Sequence, residues 1–358
     1  MKSMNMKRMI IAALLTLPTA SCFLPTAFSQ DIHFTQFYMS PLVQNPAFAG
    51  ANYDMQAVLN YKDQWKSAVQ NPYRTLDASY DMRFGKKEPK SGYWGAGIIL
   101  YNDKAGDAMM GTFQVSTPVA YHVLLGEHSK LSAGVQPSFF QRSVNVSNLE
   151  WGNQYVAGSY SASNPTGEPL TGASSFNFFD VSSGIMWTFD KGEMYISAHD
   201  HLKINLGFSV YHITQPKYTY YASGNELLYR KYVVYANMNY GIKNTPLSFV
   251  PGMIFYRQGP AQEILVGTSL RYLLKENSKY TSFVNGAAIS LGAYYRTKDA
   301  IAATMLLELG NYSIGFSYDV NTSDLKGATN QKGGFEISLR FLNPNPFTGG
   351  GGGVSRIQ

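Results

Sequence analysis

The tightest group of residues that could bind a metal ion is His199-Asp200-His201. On a β-strand the two histidines would share one face, because successive side chains point to opposite faces. A structural zinc site needs four ligands and a catalytic one at least three, and no third or fourth ligand is evident for this group. We therefore interpret the segment as a surface turn, and we expect no metal and no cofactor.

Residue types that could catalyse hydrolysis are present without a motif that brings them together. Ser, His and Asp all occur, but no nucleophile elbow or comparable motif indicates that they are placed together for catalysis. Gly95 and Gly97 lack the following helix that a phosphate-binding glycine loop requires, and curvature or close packing inside a barrel explains them better. An outer-membrane lipase would need a nucleophile beside a His, and none can be placed. We expect no catalytic residue and no enzyme.

Several charged residues on candidate strands are better explained as partners of one another. Charges buried inside a protein are usually paired, and pairs inside a barrel plug or polarise its interior. The residues in question are Arg271, Arg296, Glu308, Glu336 and Arg340.

The elements that would position these residues are strands with a period of two. Near the C-terminus, Tyr312, Ile314, Phe316 and Tyr318 alternate with small residues. After a polar loop the run 333–341 repeats the pattern, with Phe, Ile, Leu and Phe on one face and Glu, Ser and Arg on the other. A strand with one apolar face, aromatic residues at the ends of that face, and a polar opposite face is typical of an outer-membrane barrel.

The same analysis predicts an all-β fold, a transmembrane antiparallel barrel of about fourteen strands. Most candidates are near the ten residues that a tilted strand needs to cross the hydrocarbon. Pro118 and Pro251 fall inside two of them and predict short, bulged or kinked strands, because proline cannot donate to a ladder. The candidates are 55–65, 74–84, 92–103, 110–121, 129–143, 175–190, 202–212, 229–240, 247–258, 261–272, 287–296, 300–309, 311–319 and 333–341.

Loop lengths agree with this count. With both termini in the periplasm, the three longest odd-numbered connections, 144–174, 213–228 and 320–332, would face the exterior. The connection 273–286 is a longer inner exception. Outer loops rich in small polar and aromatic residues suit protein binding, so Trp151, Tyr155 and Tyr160 are candidate partner-binding residues, with a solvated protective loop as the equal alternative.

Composition agrees with a lipid-embedded barrel. Charged residues make up 15% of the chain, below the roughly 25% of soluble domains. Aromatic residues make up 14%, and no apolar run after the N-terminal region is long enough for a transmembrane helix. No block of five like charges occurs, so a nucleic-acid partner is not expected.

Residues 1–29 are predicted to be an export signal, with a basic start, a short apolar stretch and small residues before a cleavage site after Ser29. Lipidation at Cys22 is the alternative, although the preceding Thr19-Ala20-Ser21 matches a lipobox only loosely. Residues 30–54 are a loop-like segment before the barrel, in the lumen or on the periplasmic rim. The barrel itself spans 55–341. Residues 342–358 form a flexible Gly-rich tail, either disordered or a tether for a partner-binding peptide.

The segment 34–50, FTQFYMSPLVQNPAFAG, resembles the N-terminal signature of the PorP/SprF family. The resemblance continues in order along the chain, for example in YKDQW at 61–65, NDKAG at 102–106 and GFSYD at 315–319. The glycine-rich tail departs from the family pattern. The signature residues are Asn45, Pro46, Ala47, Gly50, Gln64 and Trp65.

This resemblance implies an outer-membrane protein of type IX secretion and gliding motility that performs no chemistry. It implies partners as well: a large secreted adhesin, recognised by its C-terminal domain, or components of the translocon and its periplasmic ring. A porin or substrate-specific channel is the alternative, because a barrel alone would equally support it. The strand end Leu339-Arg340-Phe341 resembles an aromatic-ended signal for barrel assembly, carried by Leu339 and Phe341.

Overall fold

A computed structural model describes residues 31–342 except 68, 86–90, 148, 169–172, 193–198, 221–223, 277–285 and 325. The predicted signal at 1–29, including Cys22, and the tail from 343 onward lie outside the described residues. The chain divides into two units, Met1–Asp31 and Ile32–Gln358, and the second contains every element below.

Fourteen antiparallel strands form one closed barrel, which confirms the predicted fold and strand count. The fourth strand has two halves. In chain order the strands are β1 Met55–Gln64, β2 Tyr73–Phe84, β3 Gly92–Ala105, β4 Met110–Ser116 with Val119–Leu124, β5 Ser129–Asn145, β6 Ala173–Lys191, β7 Leu202–Tyr211, β8 Lys231–Gly241, β9 Leu247–Gln258, β10 Ala261–Lys275, β11 Ala287–Arg296, β12 Ala300–Leu309, β13 Tyr312–Asn321 and β14 Lys332–Leu342.

The barrel closes where β1 pairs with β14, from Gln56 opposite Leu342 to Gln64 opposite Gly334. Every other strand pairs with its neighbours in sequence. Closure supplies the backbone N–H and C=O groups with partners that hydrocarbon could not provide.

The two prolines interrupt the ladder in different ways. Pro118 separates the halves of β4, where Gly97 N donates to the Pro118 carbonyl and Thr117 N donates to the Pro137 carbonyl. Pro251 stays within β9, but the pairing of β9 with β8 skips from Asn237–Gly252 to Tyr240–Phe249 beside it. Both effects follow from the missing proline N–H.

The barrel is apolar outside and polar inside. On β13, Phe316 and Tyr318 are exposed, while Ser313 and Ser317 are buried in the lumen. On β14, Leu339 and Ile337 point outward and Glu336 points inward, as the alternation predicted. The described residues include no helix that is long and apolar enough to cross a membrane.

The two ends of the barrel differ in the length of their connections. We name the loop end by the connections 65–72, 106–109, 146–172, 212–230, 259–260, 297–299 and 322–331. The turn end carries the start of β1, the end of β14 and the connections 85–91, 125–128, 192–201, 242–246, 276–286 and 310–311. The two longest connections, 146–172 and 212–230, both lie at the loop end, as predicted from the sequence.

The closing strand provides a first test. Phe341 pairs with Ala57 across the seam and with Tyr312 on the other side, and its ring lies 5.0 Å from the Tyr312 ring. Phe341→Asp would remove this contact and place a carboxylate on the lipid side, a loss on the order of 2 kcal/mol. We expect less folded, heat-modifiable protein in the outer membrane, measured by gel shift of membrane fractions. Phe341→Tyr is the control, and equal levels of both variants would contradict the assignment.

Candidate functional site

The most distinctive site is the lumen, which is occupied by residues 32–51, here called the luminal segment. It contains three short helices, Phe37–Met39, Pro41–Gln44 and Pro46–Phe48, and most of its residues are buried. Pro41 and Pro46 each begin a helix, where the missing N–H removes no helical bond. Of the two locations left open by the sequence, the lumen is the one observed.

At the loop end, a buried carboxylate holds the start of the segment. Glu336 accepts hydrogen bonds from the backbone N–H of Thr35, at 2.8 Å, and of Gln36, at 3.0 Å. It also pairs with Lys62 at 3.2 Å, and the two side chains are only 2% and 1% exposed. The Lys62 ammonium donates to the carbonyl of His33 at 2.8 Å. A single ion pair therefore anchors two donors and one acceptor of the segment.

A second cluster surrounds Arg296. Its guanidinium lies 3.0 Å from Asp319 and donates to the Thr35 hydroxyl, which donates in turn to Asp319 at 3.1 Å. Glu263 lies 3.6 Å from Arg296 and 3.2 Å from the His33 ring. Burial lowers the pKa of His33 well below its usual value, and the charges of Lys62, Arg296 and Lys231 lower it further.

The charged residues selected from the sequence are paired in the lumen, as predicted. Arg271 Nε lies 2.6 Å from Glu308, and Arg340 lies 4.0 Å from the same carboxylate. Arg296 and Glu336 take part in the clusters described above. Buried charges need such partners because an uncompensated one would be strongly destabilising.

Asn45 fixes the middle of the segment to the barrel wall. Its side-chain amide donates to the carbonyls of Ile185, at 2.9 Å, and Phe208, at 3.2 Å. The Asn45 Oδ1 accepts a hydrogen bond from Ala47 N and so caps the N-terminus of the short helix that begins at Pro46. A Cβ at Gly184 would lie 2.1 Å from this oxygen, so the wall needs glycine there.

Polar and apolar contacts continue along the segment. Gln44 accepts from Ser209 Oγ through its carbonyl, at 2.6 Å, and from the Tyr256 hydroxyl through Oε1, at 2.5 Å. Phe48 stacks on Tyr235 with ring centroids 5.1 Å apart. The middle of the lumen is thus filled by protein.

At the turn end, Gly50 makes the turn that leads into β1. Its φ is +67°, and its N–H donates to Asp81 at 2.8 Å. His122 Nε2 lies 2.8 Å from the carbonyl oxygen of Ala49. The Lys130 ammonium donates to the carbonyl oxygen of Ala51 at 2.7 Å. A Cβ at Gly95 would lie 1.9 Å from the Ala49 oxygen, which confirms close packing as the reason for that strand glycine.

The remaining signature residues lie at the loop end. Gln64 ends β1 opposite Tyr73 and Gly334. Trp65 has a φ of +63°, and its backbone N–H donates to the Gly333 carbonyl at 2.7 Å. The Trp65 ring meets the Tyr73 ring edge-on, with ring centroids 5.2 Å apart. The resemblance therefore covers both the segment and the first loop.

The histidine pair lies at the turn end. His201 is buried, with Nε2 3.1 Å from the Asn239 side-chain oxygen. His199 has a φ of +46° and lies 3.5 Å from Glu276. Over the described ranges, no group of three or more His, Cys, Asp or Glu side chains has the geometry of a metal site.

The candidate partner-binding residues fall in the connection between β5 and β6. A short hairpin pairs Tyr155 with Tyr160, whose rings are 5.4 Å apart. Tyr155 is 52% exposed and donates to Glu150 at 2.7 Å. Trp151 is half-buried, and its N–H donates to Gln154. The three residues are thus neighbours on one folded loop.

Sequence reasoning predicted two long strands at 129–143 and 175–190, close to the observed β5 and β6, but it did not identify that their ends project beyond β7. An aromatic cluster holds the projection to the connection 212–230: Phe140 and Phe178 stack at 4.8 Å, and Tyr218 meets Phe176 edge-on at 5.7 Å. The alternating Phe176, Phe178 pattern was the available signal, but nothing in the sequence identified its partners.

The projecting part of β6 has an open backbone edge. Ile213 N donates to the Val181 carbonyl on the β7 side, and β7 pairs with β6 only as far as Ser183. Because backbone groups alternate along a strand and the β5–β6 register is unbroken, Asn177 and Phe179 point their N–H and C=O to that same side. Both residues are exposed, and among the described strands none pairs with them on the β7 side, although β5 pairs with them on the other side.

The sequence matches the family described as type IX secretion system membrane protein PorP/SprF over residues 26–341. The chain belongs to this family. This PorP/SprF protein is therefore an outer-membrane β-barrel component of type IX secretion. A comparison with curated proteins finds no match.

Three solved structures illustrate the similarity of this PorP/SprF barrel to known proteins, each at low sequence identity. BamA from Haemophilus ducreyi lacking POTRA domains 1–3 has a TM-score of 0.43 and 10% identity, covering 80% of this chain and 70% of its own. The translocator domain of the autotransporter NalP from Neisseria meningitidis has a TM-score of 0.38, 7% identity and coverage of 86% and 94%. The β domain of the Bordetella autotransporter BrkA has a TM-score of 0.34 and 8% identity, and the match covers 80% of this chain and 98% of its own.

The ion pair at the loop end gives a test of the filled lumen. Glu336→Ala removes the acceptor of two segment N–H groups and leaves Lys62 buried without its counter-charge, at a cost of about 3–5 kcal/mol. We expect a lower temperature for loss of the folded gel band, and a higher conductance in planar bilayers than the wild-type protein, which should pass little current.

The matched control is Ser338→Ala, which truncates a buried luminal side chain on the same face of β14 without removing a charge. The interpretation is wrong if both variants conduct and melt as the wild-type protein does.

Proposed function

We propose that this protein is an accessory of type IX secretion that supports secretion, surface display or anchoring of a large cell-surface adhesin by protein–protein binding. The observation that carries the proposal is the luminal segment, which is bonded to the wall at the loop end, the middle and the turn end. A barrel filled in this way has its loops and strand ends, rather than a pore, available for function.

The filled lumen also argues against the alternative, a porin or substrate-specific channel. Porins conduct through a polar interior filled with water. Here conduction would require the luminal segment to leave contacts that include a buried ion pair and the amide of Asn45. The bilayer measurement described above separates the two functions.

We infer that the loop end faces the exterior, because outer-membrane barrels carry long loops outside and short turns inside. The connection 146–172 there exposes Tyr155, Val156 and Tyr160. Tyrosine supplies a large contact area at little cost in conformational entropy, which suits a protein-binding surface. These residues, with Trp151 beside them, remain our candidates for contact with the adhesin.

The open edge of β6 offers a more specific mode of binding. An unpaired strand edge can accept an extended segment of another chain through backbone hydrogen bonds. Phe179, which is 77% exposed, and Phe139, whose ring lies 5.3 Å away, form an apolar patch beside that edge. We propose that a strand of the adhesin's C-terminal domain pairs here. Translocon or periplasmic ring components would instead meet the turn end.

A deletion strain tests the function itself. We expect at least one large adhesin to disappear from the cell surface and to return on complementation with the wild-type gene. Surface digestion of intact cells followed by mass spectrometry measures this. An unchanged surface protein set in the deletion strain would refute the proposal.

A single substitution tests the strand edge. Asn177→Pro removes the N–H that points to the open side and leaves the bonds to β5 intact, because those come from the alternate residues. Loss of one intermolecular backbone bond should reduce the adhesin recovered with the purified protein by roughly 3- to 10-fold.

Asn177→Ala retains the N–H and is the matched control. If Asn177→Pro recovers as much adhesin as Asn177→Ala, strand pairing at this edge is wrong, while the deletion result can still stand.

A further inference from the structure

A cavity of about 200 Å3 lies on the outer surface of the barrel, where β1, β2 and β3 approach the loop end. Its walls include the outward-facing side chains of Tyr61, Arg74, Leu76 and Lys104. The alternate residues of β2, such as Thr75, are buried on the luminal side. The cavity therefore opens toward the surroundings of the barrel and is separate from the lumen.

Two cations face each other across this cavity. Arg74 lies directly opposite Lys104 in the pairing of β2 with β3, and both residues are exposed. Side chains at directly opposed positions have Cβ atoms about 4.5–5.5 Å apart, and like charges there destabilise the sheet. Asp63, directly opposite Arg74 on β1, forms an ion pair with it at 3.7 Å, whereas Lys104 forms no ion pair within the described part of the chain. The arrangement leaves positive charge to be compensated by an anion.

The charged pair lies at the boundary of the apolar belt. Toward the middle of the barrel, the next outward-facing residues are Leu76 and, opposite it, Asn102, followed on β3 by Leu100; all three are exposed. Residues farther toward the loop end include the polar Asn71 and Asp107 and the exposed apolar Val69 and Met109. The cation pair in the cavity, with Leu76 on its wall and Leu100 beyond it toward the middle of the barrel, matches an amphiphilic ligand with a charged head.

The rim of the cavity is held in place by the two loops beside it. The Asn71 side chain donates to Asp107 at 2.9 Å, and Gly106 N donates to the Asn71 carbonyl at 3.1 Å. A rim that is already ordered loses little conformational entropy when a ligand binds.

We propose that this cavity binds the phosphate group of an anionic membrane lipid, with an acyl chain lying along Leu76 and Leu100. Arg74 offers its planar guanidinium to two phosphate oxygens, and Lys104 donates to a third. Basic pockets between transmembrane helices bind anionic lipid head groups by the same charge complementarity. The bound phosphate would also remove the repulsion between the two cations.

Native mass spectrometry of the full-length protein in detergent tests this site. The probe is phosphatidic acid, and the comparison ligands are diacylglycerol with the same chains and inorganic phosphate. We expect the wild-type protein to retain phosphatidic acid, and R74Q/K104Q to bind it more weakly by on the order of tenfold or more.

The matched control is Arg257→Gln, which removes an exposed, outward-facing cation at the loop end of β9. Its cross-strand neighbours are the neutral Tyr232 and Gln262, so this position lacks the opposed pair. Arg257→Gln should retain phosphatidic acid as the wild-type protein does. Heat modifiability verifies folding, and Lys104→Gln alone replaces the double variant if the latter does not fold.

Three results would overturn the proposal. Equal binding of phosphatidic acid by the double variant and the control would exclude the cation pair. Equal binding of diacylglycerol would exclude recognition of the phosphate. Inorganic phosphate binding as tightly as phosphatidic acid would indicate a simple anion site without a lipid contribution.

Discussion

The structure depends on compensation of the polar groups that strand pleating directs into the lumen. A strand with an apolar outer face has its alternate residues inside, and here these include Lys62, Arg296, Asp319 and Glu336. Most of their partners lie on neighbouring strands, but the backbone of the luminal segment supplies others. The segment and the wall thus satisfy each other, because neither set of polar groups could remain buried alone without a large cost. This mutual dependence connects the outer hydrophobicity of the barrel to the closed state of its interior.

The strands could be predicted from the sequence because their signal is local. Alternation within ten residues, as in β11 and β14, specifies both the strand and the side that faces lipid, and fourteen such runs give the barrel. The polar inner face is specified at the same time. The sequence therefore predicted that Arg271 and Glu308 have charged partners inside the barrel, but not that they pair with each other. Even the break at Pro118 follows from one missing N–H.

The luminal site could not be predicted because its partners are distant in sequence. Asn45 bonds to carbonyls 140 and 163 residues away, and Thr35 N bonds to a carboxylate 301 residues away. Residues 34–50 have no periodicity, and their sequence shows helix starts at Pro41 and Pro46 but not what the helices pack against. The family resemblance singled out Asn45 and Gly50, yet their contacts with the wall emerge only in three dimensions. The open edge of β6 is equally invisible, since it depends on where β7 ends.

The direct connection of the luminal segment to β1 constrains the order of assembly. Because the segment runs from the Glu336 cluster to the turn at Gly50, it occupies the space that the strands enclose. The segment is continuous with β1 and is bonded to wall residues at both ends of the lumen, so we expect the seam between β1 and β14 to close with the segment already inside. We therefore expect the sheet to form around the luminal segment during assembly, with the pairing of β1 and β14 as the last step.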